Sequence, residues 1–375
     1  MPELPDVEGF REVLESCAKG RVIRRVDVRD TGVLHGVSTR RLRDALEGRR
    51  FTEPERHGKW LLARTGGPTL VLHFGMTGRL VCGRPEDAVE AHDRVLFTVS
   101  GGHQLRYRDQ RKLQGLWLCD DESEVARLLD RQGPDAMAVD RGEFEAALSA
   151  RRGSVKTVLT DQSVLAGLGN LLADEILWRA RLRPTIRASD LTETDRRHLY
   201  THMRRTLRSA VTAGCVPPRD SWLTGHRDTP DPTCPRCGDH LRRSRMAGRS
   251  TVWCPRCQSQ GSLGRRRRAV RTGEPSGRGS RQGGGAVGTE SRGHGEPSDG
   301  GGRAGVAVED LAGVPGPVLR RDGAGARLGA DELAPRECQD VLAGGGAAAD
   351  EAPRDEDAVA VAYAEHALVE ELVVQ

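Results

Sequence analysis

The residues with the plainest chemistry lie near position 250. The stretch "CPRCGDHLRRSRMAGRSTVWCPRC" sets Cys234 and Cys237, then Cys254 and Cys257, in the spacing C-x2-C-x16-C-x2-C. Each CxxC lets two thiolates on one tight knuckle reach the same ion, and two knuckles complete a tetrahedron. Four thiolates close the coordination shell, so the expected ion is one structural zinc and not a catalytic metal. A redox dithiol fits less well, because neither pair opens a helix in a βαβ context. Arg242, Arg243, Arg245 and Arg249 stand between the knuckles. A β-hairpin there would offer arginines to a phosphate backbone, or simply to water.

A second candidate is "AGLGNLLADEILWRA", with Gly167 and Gly169 just ahead of Asn170 and an apolar helical pattern. A glycine turn leading into a helix presents free backbone N–H groups that favour an anion, and Asn170 can add a side-chain donor. An ordinary capped helix with close-packed glycines is the plainer reading of this stretch alone. Lys156, further upstream, would either join such a site or stay in water. Lysine is rare here: Lys19, Lys59, Lys112 and Lys156 are the only ones among 58 basic residues. An amine can donate a proton or form an imine and a guanidinium hardly can, which raises those positions above the arginine background.

A chain of 375 residues has room for two or three domains and a sizeable core. The formal net charge is +4, with the basic excess in residues 1–260 and an acidic excess after them. A basic body suits a polyanionic partner. Glu3, Asp6 and Glu8 occupy the place of a basic signal-peptide start, and no apolar run is long enough to span a membrane. The nine cysteines do not read as a secreted disulfide framework, since four fall into the CxxC pairs. The expectation is a cytoplasmic protein with no membrane partner.

The elements that would position these groups follow from periodicity. Residues 6–18 read as an amphipathic helix with Val7, Phe10, Leu14 and Cys17 on one face. From 21 to 120 the pattern is short strands: "RVIRRVDVRD", "KWLLART", "TLVLHFGM", "RVLFTV" and "GLWLCDD". So many short strands imply a β-sandwich or barrel. The pattern then turns helical to about 214, loop-like over 215–233, and Gly-rich after 261, where half of the 46 glycines lie. That tail cannot bury enough apolar surface to offset its ordering entropy and is expected to be disordered, with a short helix near "AVAYAEHALVEELVV". The expected fold class is α+β. A β-sandwich domain spans 1–125, a helical domain 126–233, a zinc-finger hairpin 234–258 and a low-complexity tail 259–375.

Taken in order, "PELPDVE", "RHGKWLL", "HFGMTGRL", "RDQRKLQG", "AGLGN" and the four-cysteine finger resemble the formamidopyrimidine-DNA glycosylase/endonuclease VIII family of base-excision repair enzymes. The likeness covers about residues 1–258. It implies a β-sandwich flanked by helices, a helix–two-turn–helix domain and a zinc finger, with DNA in the cleft between them. It also implies a bifunctional glycosylase/AP lyase acting on oxidised bases in double-stranded DNA. The family nucleophile is an N-terminal proline amine exposed by loss of Met1, here Pro2. An α-amine, with an ordinary pKa of about 8, is partly neutral near pH 7, as a typical lysine is not. Glu3 would be the acid–base residue, with Asp6 supporting it, and Lys59 would contact the phosphate beside the damaged nucleotide.

By the same resemblance Met76 fills the gap left by the flipped base, Arg111 faces the orphaned base, and Leu113 is the apolar wedge. His92, Asn170 and Arg249 would hold phosphates, with Lys156 among the DNA contacts. A non-catalytic zinc-finger protein that binds damaged DNA or structured RNA is the alternative. Two departures concern the lesion. The segment before Cys234 is shorter than the family's usual cover over 8-oxoguanine, and "DQRKLQG" replaces the usual "DPRRFG". Oxidised pyrimidines, formamidopyrimidines and bare abasic sites are therefore alternative substrates. The chain is expected to act as a monomer, and any partner of the tail is unidentified.

Overall fold

The computed structural model describes residues 1–258. The expectations for the tail lie outside the described residues. Helix α1 (Leu4–Ala18) begins two residues earlier than its periodicity suggests. Extended Glu3 serves as N-cap, Asp6 Oδ2 accepts the Glu3 N–H at 2.8 Å, and Pro5 sits in the first turn, where no N–H is needed. The buried stripe of Val7, Leu14, Cys17 and Ala18 then docks on the sheets.

Eight strands follow: β1 (Ile23–Val28), β2 (Pro54–His57), β3 (Trp60–Ala63), β4 (Thr69–His73), β5 (Arg79–Gly83), β6 (Asp93–Val99), β7 (His103–Arg108) and β8 (Leu116–Cys119). They form two antiparallel four-stranded sheets, in the orders β1-β6-β7-β5 and β2-β3-β4-β8. Inward-facing Ile23, Val26, Leu61, Leu70, Leu72, Phe97 and Tyr107 fill the space between them together with the buried stripe of α1. The sandwich reading of this region holds. A strand-only reading nevertheless misses α2 (Thr39–Leu46), whose Arg-rich sequence shows only Leu42 and Leu46 as buried anchors behind a Ser38 cap.

The second half is helical: α3 (Glu122–Leu129), α4 (Arg141–Ser149), α5 (Val155–Thr160), α6 (Asn170–Arg179), α7 (Glu193–Ala213) and the short α8 (Leu223–His226). Thr192 and Asp195 form a reciprocal capping box that starts α7. A separate apolar core of Leu4, Phe144, Leu159, Leu172, Ile176, Leu199, Met203 and Leu207 joins α4, α5, α6 and α7. Strands β9 (Arg242–Met246) and β10 (Arg249–Trp253) pair as the expected hairpin. The segment 215–233 is not all loop, because Val216, Trp222 and Leu223 are buried and α8 lies within it.

One ionic junction ties the sandwich to the helices. Arg56 Nε donates to Glu8 Oε2 at 2.7 Å, and its terminal nitrogens pair with both oxygens of Asp135. Asp135 also accepts the Gly58 N–H at 2.7 Å. The Arg56 and Asp135 side chains are only 8% and 9% exposed. Removing the cation would leave a buried carboxylate uncompensated, a change that costs about 3–5 kcal/mol. Arg56→Met should therefore lower the unfolding free energy measured by urea titration by an amount in that range. A loss below about 1 kcal/mol would show that water or a rearranged partner replaces the guanidinium.

Candidate active site

The glycine turn before α6 does bind an anion, but the anion belongs to the protein. Glu3 Oε2 accepts the N–H groups of Gly169 at 2.9 Å and Leu172 at 3.1 Å, and Oε1 accepts that of Leu171 at 2.8 Å. Three donors at a helix N-terminus, with the helix dipole behind them, give a carboxylate charge-assisted bonds in a fixed orientation. Leu4 N–H donates to Gly167 O at 3.1 Å and completes the junction. Gly169 is required by proximity, since a Cβ there would lie 2.2 Å from the Glu3 carboxyl carbon. Glu3, the neighbour of Pro2, is thus fixed to a glycine 166 residues downstream of it.

The turn between β2 and β3 closes on the same point. Gly58 has φ +56, and a Cβ on it would approach that of Ala166 to 2.7 Å. Lys59 follows, within electrostatic range of Glu3, Asp6 and Arg249. Burial holds its ammonium below the usual lysine range despite the two carboxylates. Asp6 is pushed up to about 6, chiefly by burial and further by Glu3. It is therefore a carboxyl that can hold or release a proton near neutral pH.

A cleft of about 340 Å³ opens beside Pro2. Asp6, Met76, His92 and Leu171 line it together with Pro2. Cys215, Val216, Pro218, Thr224 and Asp228 supply another part of the lining, so the short segment before the finger helps to form the pocket. Met76 is 40% exposed and Leu113 48%, unusual for large apolar side chains in this fold. Arg111 Nη1 lies 3.1 Å from Met76 Sδ. All three expected DNA-facing residues are exposed, and Met76 lines the cleft with Arg111 beside it. Asn170 begins α6, with its Oδ1 buried and unpaired, and exposed Arg249 reaches Thr160 O at 3.3 Å.

The finger's four sulfur atoms lie within 4.8 Å of one another, with Cys237–Cys254 at 3.6 Å and Cys234–Cys257 at 3.9 Å. Zinc–sulfur bonds of about 2.3 Å at tetrahedral angles require separations close to these, so the four cysteines fit a zinc ion. Trp178 Nε1 donates to Cys234 Sγ at 3.3 Å, which anchors this knuckle to α6.

Comparison with known proteins now decides the family. Residues 1–116 match the formamidopyrimidine-DNA glycosylase N-terminal domain, 132–217 its H2TH domain, and 232–260 the zinc finger found in FPG and IleRS. A formamidopyrimidine-DNA glycosylase of Heliobacterium modesticaldum is 38% identical over 279 residues, covering 69% of this chain and all of that protein. One from Halorhodospira halophila is 36% identical with the same coverage. The chain belongs to the formamidopyrimidine-DNA glycosylase family. Solved relatives include the Lactococcus lactis enzyme bound to DNA containing an abasic site. It has a TM-score of 0.64 and 26% identity, covering 69% of this chain and all of that one. MutM bound to DNA containing carbocyclic 8-oxo-G has a TM-score of 0.63 and 28% identity, covering 68% and 99%. The protein is accordingly a DNA-binding glycosylase of base-excision repair with AP lyase activity and a structural zinc. No helix among the described residues is long and apolar enough to cross a membrane.

Within this glycosylase fold, Lys156 departs from its expected place among the DNA contacts. It is 2% exposed, donates to Ser250 O and Thr251 Oγ1 at 2.9 and 2.8 Å, and stands 2.7 Å from Asp174 Oδ1. Asp174 also takes Arg227 Nη1 and the Val252 N–H. Lys156 therefore joins α5 and α6 to β10, and its protons are engaged inside the protein. Sequence reasoning also missed His73. Burial and the Lys59 charge push it down to about 4, so the ring is neutral at physiological pH. Its Nδ1 accepts the Gly75 N–H at 3.1 Å, which leaves Nε2–H as a donor beside Lys59. The signal was a lone imidazole ending the apolar strand "TLVLH".

Gly169→Ala should displace Glu3 while sparing both apolar cores. A misplacement of about 1 Å costs about a hundredfold in rate. Single-turnover cleavage of abasic DNA should fall by that order, and the melting temperature should also drop because buried amide donors lose their carboxylate; full activity would deny Glu3 this role. Chelation of the zinc should abolish DNA binding while the far-ultraviolet signal of the sandwich persists. Retained binding without metal would show that the finger is dispensable.

Proposed function

We propose that Pro2, freed of Met1, is the nucleophile, and that Glu3 manages the protons. The Pro2 nitrogen attacks deoxyribose C1′, the damaged base departs, and a charged iminium joins enzyme and sugar. That electron sink acidifies the C2′ proton and permits successive elimination of the 3′ and 5′ phosphates. Glu3, oriented by its three amide donors, assists ring opening and the later proton transfers. Asp6 serves as a nearby proton reservoir. The observation that carries this reading is the attachment of Glu3 to the start of α6, next to an accessible cleft that includes Pro2.

Lys59 and neutral His73 stabilise the phosphate beside the reacting sugar, and Asn170, Arg249 and His92 grip the flanking backbone. Met76, Arg111 and Leu113 occupy the gap in the duplex, with Leu113 as the wedge. The substrate is double-stranded DNA with an oxidised base or abasic site, handled by a monomer in the cytoplasm. The sandwich, helical and finger regions, divided near residues 125 and 233, act as the three arms around it. Lining by Val216, Pro218 and Thr224 supports a pocket for an everted base.

Borohydride trapping with abasic-site DNA tests the nucleophile. A covalent adduct should form with the mature chain and map to the peptide that begins at Pro2. A chain with residues appended ahead of Met1 should give none, because an amide nitrogen is not nucleophilic. Absence of any adduct, with DNA binding intact, would favour the non-catalytic alternative.

A further inference from the structure

A disulfide joins Cys17, in the last turn of α1, to Cys82 on β5. The cysteine spacing, which argues against a secreted disulfide framework, did not point to this bridge. The two sulfur atoms differ in access: Cys17 is 2% exposed, whereas Cys82 faces solvent. His103, at the start of the neighbouring β7, places Nδ1 4.0 Å from Cys82 Sγ. The same helix carries Pro2 and Glu3 at its other end.

The finger supplies the contrast that interprets this bridge. Cys234, Cys237, Cys254 and Cys257 are free thiols in the structure and must stay reduced to hold zinc. A compartment that preserves such a site keeps accessible thiols reduced, and disulfides there are chiefly transient, catalytic or sensing ones. A bridge with one solvent-facing sulfur is open to exchange, unlike a fully buried staple. We propose that Cys17 and Cys82, with His103 beside them, are a redox-active pair that exchanges with small dithiols and disulfides and latches the helix bearing Pro2.

The exchange enters at Cys82. One thiolate of a dithiol attacks Cys82 Sγ, the Cys17–Cys82 bond breaks, and the Cys17 thiolate leaves and takes up a proton. The second thiol of the dithiol then attacks its own partner sulfur in the mixed disulfide. A cyclic disulfide departs, and the Cys82 thiolate is released next to His103, whose imidazole can hydrogen-bond it. Two electrons pass from dithiol to protein. Closure reverses this: Cys82 thiolate attacks a small disulfide, and Cys17 displaces the mixed-disulfide partner. The latch would close under oxidising conditions, which also generate oxidised bases.

The test uses the full zinc-loaded chain in graded mixtures of reduced and oxidised dithiothreitol, with alkylation and mass spectrometry of each cysteine. Cys17 and Cys82 should titrate together and reversibly while zinc stays bound, and amides in the last turns of α1 should exchange faster in the reduced form. With oxidised glutathione, Cys17→Ser should accumulate a mixed disulfide at Cys82 at least tenfold faster than Cys82→Ser does at Cys17. His103→Ala should slow exchange severalfold. The proposal fails if the pair resists dithiothreitol until denaturant unfolds the protein. It fails equally if the finger thiols oxidise before the pair closes, or if glutathione attaches first at Cys17.

Discussion

The structure depends on a carboxylate at residue 3 reaching a helix that starts at residue 170. Glu3 satisfies three backbone donors that a buried helix start would otherwise leave unpaired. The same bonds fix the chain end that carries the reacting amine. Terminal residues ordinarily fray, and here the first turn of α1 is held by Pro5, by Asp6 and by another domain's backbone. Glycines at 167 and 169 follow from this contact, because a Cβ there would collide with the Leu4 and Glu3 side chains, and Gly58 lets the β2–β3 turn approach Ala166.

Charge is arranged around that junction in two tiers. The inner tier places Lys59 and Asp6 near Glu3, with His73 beside Lys59, and burial weakens proton binding by the lysine and histidine and strengthens it at the aspartic acid. The outer tier is structural. Asp135 draws Arg56 and the Gly58 turn onto the helical region, and Asp174 gathers Lys156, Arg227 and β10. Each buried acid is thus a node between elements distant in sequence. Asp174 and Trp178, both on α6, hold the finger against the helical region.

Much of this was legible in the sequence. The cysteine spacing gave the zinc site, alternation gave five of the eight sandwich strands, and the ordered motifs gave the family. The failures have physical causes. Lys156 looked free because its partners, Asp174 and Thr251, are remote in sequence, and a buried ion pair leaves no local pattern. Helix α2 was hidden because three arginines outnumber its two buried leucines. At "AGLGN" the plainer local reading was an ordinary capped helix, and nothing local could reveal that Glu3 supplies an anion to its N–H groups. The Cys17–Cys82 bridge likewise depends on α1 lying across β5, a tertiary fact.

The most direct test of the account is a crystal structure of the borohydride-reduced complex with abasic-site DNA. The account predicts a bond from the Pro2 nitrogen to C1′, with Glu3 still receiving the N–H groups of Gly169, Leu171 and Leu172. A sugar attached instead to Lys59, or a Glu3 carboxylate swung away from α6, would contradict it.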